Sequence, residues 1–385
     1  MEKPRLIYID NLRILLITLV IMVHLSVTYG GVGSWYYVEG RADQITAMLL
    51  TLSNAISQSF FMGMLFMFAG FFTPSSYARK GPRRFLKDRL LRLGIPILCY
   101  DLLINPFLNA LLVAAGIYQT SVPLSRRLLA YYSSFHVGTG PLWFAEVLLI
   151  FAAAYALARL AAERLPIRRP LALPPVRGAY LAAAVIAAVV AVALATFIVR
   201  IWLPLGWVFG PLNLQLPYFP QYVALFIVGI LAGCRNALAD FNPPAPRRRL
   251  IAGLTVALIL ALPLLLVAGG GLKGNLAPFM GGLHWQSLAL SFWEQAACAA
   301  MSLALLTLFS RRLNRQSPLA KAASDSAFSA YIIHAPVIIL FALAARPVTL
   351  HPILKFALAL AITVPLTFTL ANLLRRHPER SRRIH

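Results

Sequence analysis

The first apolar segment of the chain carries three side chains that could do chemistry. Asp10, Arg13 and His24 lie within the predominantly apolar run 6–28. At 100° per residue, a helix brings all three side chains into a sector of about 60° on one face. Arg13 and His24 are then about 16 Å apart along the axis, at 1.5 Å per residue. One helix face therefore presents a cation and a proton-transfer group at two different depths.

Arg13 and His24 also have purely structural interpretations. Asp10 and Arg13 are three residues apart, so they can form an ion pair on the helix surface. His24 lies near the end of its run and could be an interfacial histidine that is satisfied by hydrogen bonds. The spacing predicts the Asp10–Arg13 pair and allows a functional role beside it.

A strongly basic loop, 79–92, contains seven cations and one acid, Asp88. Its last two arginines, Arg89 and Arg92, run directly into an apolar helix at Leu93. They are three residues apart, so they share a helix face. Most of the cluster suits anchoring at a membrane surface. The two arginines at the boundary could equally bind the phosphates of an anionic ligand.

Two later segments place polar groups inside apolar runs. Glu146 lies about one helical turn inside its run and lacks a local cation, so it needs a partner from another helix. Trp143 precedes it by three residues and suits either a membrane-interface belt or a ligand site. Tyr331 and His334 share a face of a later helix, where we expect structural hydrogen bonds within the bundle.

The composition excludes most soluble classes of protein. Of the 385 residues, 60% are hydrophobic and 12% are charged, which is about half the charged share of a soluble domain. So few charges cannot cover a soluble surface, and a polytopic membrane protein remains. The three cysteines show neither a disulfide framework nor a zinc spacing, so we expect no metal site.

Ten apolar runs are long enough to cross a membrane, since a spanning helix needs about 20 predominantly apolar residues. They predict an all-α polytopic membrane protein, a bundle of about ten transmembrane helices. The connecting segments are too short for an independent core, so residues 1–385 are expected to form a single membrane-embedded domain with no soluble domain. The runs are 6–28, 45–72, 95–115, 141–160, 179–199, 218–234, 250–268, 287–309, 324–344 and 351–374.

The net charge of +23 follows from this topology. With ten spans, 27 of the 35 Lys and Arg residues fall on the side that holds both termini, and 7 fall on the other side. Lys and Arg concentrate in cytoplasmic loops, so both termini are predicted to be cytoplasmic. The cations are spread over six segments that adjoin helices, as anchoring requires. We therefore expect the lipid bilayer as a partner and no nucleic acid.

The order of these motifs resembles the integral-membrane acyltransferase family 3. The first helix of that family opens in a similar way, with an arginine, ten intervening residues and then a histidine. The likeness continues along nearly the whole chain. The segments that carry it are Tyr8-Ile9-Asp10-Asn11-Leu12-Arg13 with His24, Phe60-Phe61 with Ala69-Gly70-Phe71-Phe72, Phe85 with Arg89-Leu90-Leu91-Arg92-Leu93 and Pro96, Pro141-Leu142-Trp143-Phe144, and Tyr331-Ile332-Ile333-His334-Ala335-Pro336.

The resemblance implies that the protein is an O-acyltransferase and a multi-pass membrane protein. Its expected location is the bacterial plasma (inner) membrane. Such enzymes move an acyl group, commonly acetyl or succinyl, from cytoplasmic acyl-CoA to a hydroxyl of a glycan or another acceptor, often on the extracytoplasmic side. The expected partners are therefore acyl-CoA, as donor substrate, and this acceptor. The site residues expected on this basis are His24, Arg13 and Glu146 for catalysis and Arg89, Arg92 and Trp143 for binding the coenzyme.

Three motifs depart from the family pattern. Many members have Ser-Gly-Phe in the second helix, where this chain has Ala69 in place of the serine. Many members separate the two arginines by one residue, whereas two residues stand between Arg89 and Arg92. Many members also have a Glu-Glu pair after the tryptophan, whereas this chain has the single Glu146, closer to Trp143.

The proposed chemistry agrees with the residues. A thioester is already activated, so the acceptor hydroxyl mainly needs a base, and a neutral histidine such as His24 serves near neutral pH. The alternative class is a proton-coupled secondary transporter, because buried Arg, His and Glu would also suit a carrier. No internal sequence repeat is visible to support that alternative.

Overall fold

A computed structural model of the protein describes residues 5–40, 42–134, 138–164, 179–239 and 241–381. Within these ranges the chain is helical, and no β-strand occurs apart from one isolated bridge between Phe209 and Leu214. The predicted all-α class is confirmed. The α-helices are α1 (Ile7–Thr28), α2 (Gln44–Arg89), α3 (Ile95–Cys99), α4 (Asn105–Ala114), α5 (Leu124–Ser133), α6 (Trp143–Arg164), α7 (Ala179–Trp202), α8 (Phe219–Cys234), α9 (Ala245–Ala268), α10 (Ala277–Met280), α11 (Trp285–Arg312), α12 (Pro318–Ala344) and α13 (Pro352–Ser381).

Nine helices in the described part of the chain are long and apolar enough to cross a membrane. One of these, Gln44–Ala114, has 71 residues and would measure about 105 Å if it were straight. It reverses at Gly81, where φ is +72°. The rings of Tyr77 and Phe85 are only 5.6 Å apart across this point. This segment therefore holds two of the ten predicted spans, and each of the ten falls in helical structure.

The basic segment 79–92 was predicted as a loop, and this prediction was wrong. The segment is helical except at Gly81, because Lys and Arg are good helix formers and only a glycine at positive φ, followed by Pro82, breaks the helix. An ion pair of 2.5 Å between Lys80 and Asp88 joins the helical segments on the two sides of Gly81. A π-helical turn then follows at Leu90–Gly94.

The start of the N-terminal helix and the end of the C-terminal helix lie on the same face of the bundle. Arg5, just before α1, pairs with Asp325 of α12 at 3.0 Å. Arg375, near the end of α13, lies 3.8 Å from the same carboxylate group. We call this side the basic face and the other side the opposite face. The assignment of the basic face to the cytoplasm stays a prediction from the distribution of Lys and Arg.

Helix α1 lies in the interior of the bundle. Five of its apolar side chains have no exposed surface, which are those of Ile9, Leu12, Leu16, Ile21 and Leu25. Helices α7 and α9, in contrast, present rows of large apolar side chains to the surroundings. The central position of α1 explains how its polar side chains can face other protein groups instead of lipid.

Glycines let α8 pack closely along α2. A Cβ atom on Gly70 of α2 would collide with the carbonyl oxygen of Phe226, and one on Gly229 of α8 would collide with the carbonyl oxygen of Met67. Small residues at such crossings allow two backbones to approach in a membrane. This contact holds the aromatic rings of α2 and α8 next to the candidate site.

Candidate active site

His24 lies in a stack of aromatic rings near the opposite face, four residues before the end of α1. Its imidazole packs on the indole of Trp35 at a centroid distance of 3.8 Å and on the imidazole of His334 at 5.3 Å, both with planes inclined by 19°. The ring of Tyr331 follows His334 at 5.7 Å. We call these four residues the histidine stack. Helix α1, the segment after it and helix α12 together build it.

The hydrogen bond of His334 indicates its protonation pattern. His334 is fully buried, and its Nδ1 lies 2.5 Å from the carbonyl oxygen of Tyr331. A carbonyl oxygen only accepts, so Nδ1 carries the proton and Nε2 of the neutral ring holds a lone pair. Nε2 of His334, Nδ1 of His24 and Nε1 of Trp35 are buried without a hydrogen-bond partner among the described residues. Because buried polar atoms are normally paired, these three atoms mark a place that a ligand could complete.

A hydrogen-bonded network connects the histidine stack to the opposite face. Tyr36 meets the edge of Trp35 at a centroid distance of 5.2 Å and donates to Oδ1 of Asn105 at 2.9 Å. Asn105 donates to the hydroxyl of Tyr131 at 3.0 Å, and that hydroxyl donates to Asp101 at 2.7 Å. Burial raises the pKa of Tyr36 to about 12, so its phenol stays protonated and acts as the donor.

Arg13 lies towards the basic face, at the other end of α1 from His24. Its Nη1 is 3.6 Å from Oδ1 of Asp10, which confirms the predicted pair. Asp10 is shared, because Arg5 approaches its other oxygen at 2.5 Å. Arg92 lies close enough for its charge to act on Arg13. The charges around Asp10 therefore sum to a local excess of positive charge.

Arg89 and Arg92 extend this positive region. The guanidinium of Arg89 lies over the ring of Phe85 at 5.3 Å, and that of Arg92 lies over the ring of Phe328 at 5.6 Å. In the part of the chain that the structure describes, neither arginine has a carboxylate within ion-pair distance. Contact with a ring orients a guanidinium without neutralising its charge, so both arginines remain able to bind an anion.

The other two predicted site residues lie on α6. Trp143 stacks on Tyr222 at a centroid distance of 5.5 Å, and no contact among the described residues joins it to Arg89 or Arg92. The grouping of Trp143 with these arginines as coenzyme-binding residues stays a prediction.

Glu146 is buried, and its Oε2 has no hydrogen-bond partner within the described ranges. It follows Phe144 by two residues on α6, and the ring of Phe144 meets that of Tyr331 at 5.9 Å, so Glu146 lies near the Tyr331 end of the histidine stack. The sequence led us to expect a partner from another helix, and among the described residues no cation lies within ion-pair distance of Glu146.

A second buried polar cluster lies between α7, α8 and α11. Arg200 and Glu294 form an ion pair of 2.7 Å, with side chains exposed by only 1% and 11%. The ring of Tyr218 lies 5.4 Å from the guanidinium. Nearby, Gln221 donates to Gln295 at 3.1 Å. The pair gives Glu294, an acid on an apolar helix, a cationic partner from another helix.

Sequence reasoning missed the contacts of His24 with His334 and Trp35. Tyr331 and His334 were expected to make structural hydrogen bonds, and they do: the hydroxyl of Tyr331 donates to the carbonyl of Pro141, and His334 bonds to Tyr331. The additional stacking of His334 on His24 depends on how α1 and α12 are rotated, which no local pattern reports. The motif Tyr-x-x-His was the one available signal.

Fold and site together define a multi-pass helical membrane protein with a histidine stack near one face and an arginine cluster at the other. A family model described as an acyltransferase domain, the acyltransferase family 3, matches residues 6–372. The match covers nearly the whole chain, and the protein belongs to this family of membrane acyltransferases. No curated protein and no solved structure matches the chain.

Proposed function

We propose that the protein is an O-acyltransferase of the bacterial inner membrane, which moves an acetyl or succinyl group from acyl-CoA to a hydroxyl of a glycan. The donor binds at the basic face and the acceptor arrives from the opposite face. The observation that supports this arrangement best is that α1 carries Arg13 and His24 at opposite ends. Arg13 joins an arginine cluster at one end, and His24, with an unpartnered Nδ1, lies near the other end.

The arginine cluster supports an anionic donor. Coenzyme A carries several phosphate charges, and guanidinium groups bind phosphate through charge-assisted, bidentate hydrogen bonds. Arg89 and Arg92 have no carboxylate partner among the described residues and lie within electrostatic range of each other. Such mutual repulsion is relieved when an anion binds between the charges. The acyl-bearing arm of the coenzyme then extends past Arg13 towards His24.

The chemistry at His24 needs one proton acceptor. A ring nitrogen of neutral His24 takes the proton of the acceptor hydroxyl while its oxygen attacks the thioester carbonyl carbon. The C–S bond of the resulting tetrahedral intermediate breaks, the ester remains on the acceptor, and the proton passes from His24 to the thiolate. The products are the acylated acceptor and free coenzyme A.

The other members of the site have supporting roles in this proposal. The unpartnered N–H of Trp35 can donate to the oxyanion of the tetrahedral intermediate. Trp143, which stacks on Tyr222, lines the path of the acyl-bearing arm. Glu146, two residues after Phe144, supports the stack from beside Tyr331. No role in this proposal requires a metal ion.

The test is product formation by purified protein in detergent. The protein is given acetyl-CoA or succinyl-CoA labelled in the acyl group, together with surface glycans from cells that lack it. We expect label in the glycan fraction and release of coenzyme A in equal amount. Flux in sealed vesicles without any labelled product in detergent would favour the transporter and overturn the enzyme.

A further inference from the structure

A polar cavity opens on the opposite face, beside the network that leads to the histidine stack. Its volume is about 520 Å³, and helices α4 and α5 supply its described walls. The lining combines two amides, a phenol and a guanidinium with apolar side chains. Its main members are Asn105, Asn109, Arg127, Tyr131, Leu124 and Leu128.

Three contacts in sequence join this cavity to His24. Asn105, in the cavity wall, accepts the hydrogen bond of Tyr36 at 2.9 Å. Tyr36 meets the edge of Trp35, and Trp35 stacks on His24 at 3.8 Å. A ligand held in the cavity therefore contacts Asn105, and Tyr36 and Trp35 link Asn105 to the proposed base.

The lining indicates the chemistry of such a ligand. The amides of Asn105 and Asn109 and the phenol of Tyr131 hydrogen-bond to one another and to neighbouring groups, which fixes the polar wall of the cavity. The leucines offer an apolar floor, as is usual in ligand sites. Arg127 is the one charged side chain among the described lining residues, and no carboxylate lines the cavity there. Among the residues that the structure describes, its Nη2 reaches only the carbonyl oxygen of Asn109, at 3.5 Å, which leaves most of its N–H donors for an anion.

From this lining we infer that the cavity is the acceptor subsite and that the acceptor is a glycan with an anionic substituent, a phosphate or a carboxylate, which Arg127 binds. The inference rests on the proposed function, because it names the substrate class of that reaction. Arg127 acts in binding and not in the transfer step, so its loss leaves the donor end of the site intact.

The adjacent arginines provide a matched pair for the charge test. Arg127 lines the cavity, whereas Arg126 is exposed on the same helix and outside the lining. Cells that lack the protein are complemented with wild type, Arg127→Gln or Arg126→Gln, and the acyl groups on their surface glycans are counted by mass spectrometry. We expect at least a tenfold loss for Arg127→Gln and wild-type values for Arg126→Gln. Titration of each purified variant with acetyl-CoA should give one common Kd, which also shows that the variants fold.

A second pair of variants tests whether the free volume of the cavity is needed, without changing a charge. Leu128 lines the cavity, and its neighbour Leu129 is 70% exposed. Leu128→Trp should fill the cavity and abolish glycan acylation with unchanged acetyl-CoA binding, whereas Leu129→Trp should have no effect.

The outcomes separate this inference from the proposed function. Wild-type cells whose glycans carry no more acyl groups than cells lacking the protein would overturn both. Full glycan acylation by Arg127→Gln or by Leu128→Trp, in cells where wild type is active, would overturn the acceptor subsite alone.

Discussion

The imidazole of His24 lies parallel to the imidazole of His334, with centroids 5.3 Å apart and planes inclined by 19°. Nδ1 of His334 is occupied by the carbonyl oxygen of Tyr331, so this ring is held in one orientation. His24, with Trp35 on its other side, is clamped between two flat surfaces. The clamp orients a base without hydrogen-bonding its Nδ1, which is what proton transfer to a substrate requires.

Replacement of His24 by alanine is expected to lower kcat for acyl transfer by about 10²–10⁴-fold, because it removes the general base. The Kd for acetyl-CoA should stay unchanged, since the arginine cluster lies at the other end of α1. Steady-state kinetics and a donor titration measure the two quantities. His284→Ala is the control, because His284 is exposed at the start of α11. A folded His24→Ala protein with full activity would contradict the assignment.

Replacement of His334 by asparagine should act through His24. Loss of the stacked ring loosens the base, and a small misplacement of a catalytic group costs up to about 10²-fold in rate. We expect a lower kcat with an unchanged KM for the donor. The double variant His24→Ala/His334→Asn should be no slower than His24→Ala, since residues that act as a unit are not additive. Additive losses would show that His334 works independently of His24.

Trp35→Phe separates two functions of one side chain. Phenylalanine keeps a flat surface for His24 but lacks the indole N–H, which is buried without a partner among the described residues. If this N–H stabilises the oxyanion, kcat should fall by about 10²–10³-fold, as for other single oxyanion donors. Trp35→Ala should be at least as slow. Equal rates for wild type and Trp35→Phe would show that Trp35 acts only by stacking on His24.

Arg89→Ala and Arg92→Ala should weaken acyl-CoA binding. A hydrogen bond to a charged group contributes about 1.5–3 kcal/mol, so each change should raise the Kd about 10- to 100-fold, with kcat at saturating donor nearly unchanged. The variant Arg83→Ala removes an exposed arginine from the same basic segment and should bind normally. Calorimetric titration with acetyl-CoA measures these values. An unchanged Kd for Arg89→Ala would overturn the role of this residue in phosphate binding.

The ion pair of Arg200 and Glu294 is expected to matter for stability. Removing one partner of a buried pair leaves an uncompensated charge and costs about 3–5 kcal/mol. Glu294→Gln should therefore lower the unfolding temperature in detergent markedly, and the double variant Arg200→Met/Glu294→Gln should recover much of the loss. Lys321→Ala is the control, because Lys321 is 58% exposed in its pair with Asp325 and such surface pairs contribute at most about 1 kcal/mol.

The positions of the predicted site residues show how far local patterns reach. The pairing of Asp10 with Arg13 follows from helical spacing alone, and the structure has it. The basic segment was predicted as a loop because its cations interrupt the apolar pattern, yet only Gly81 breaks the helix. Hydropathy reports where a chain leaves the membrane, and it does not report whether the chain stays helical there.

The ten predicted spans, the shared face of the two chain ends, and the placement of Arg13 and His24 on one helix all follow from the amino-acid sequence alone. These are local properties, set by the length of apolar runs, the distribution of Lys and Arg, and the period of the helix. The stacking of His24 on His334 and the pairing of Arg200 with Glu294 arise from the packing of the helices against one another. Each of these contacts joins helices far apart in the chain, and it depends on the rotation and depth of each helix, which packing against all its neighbours determines.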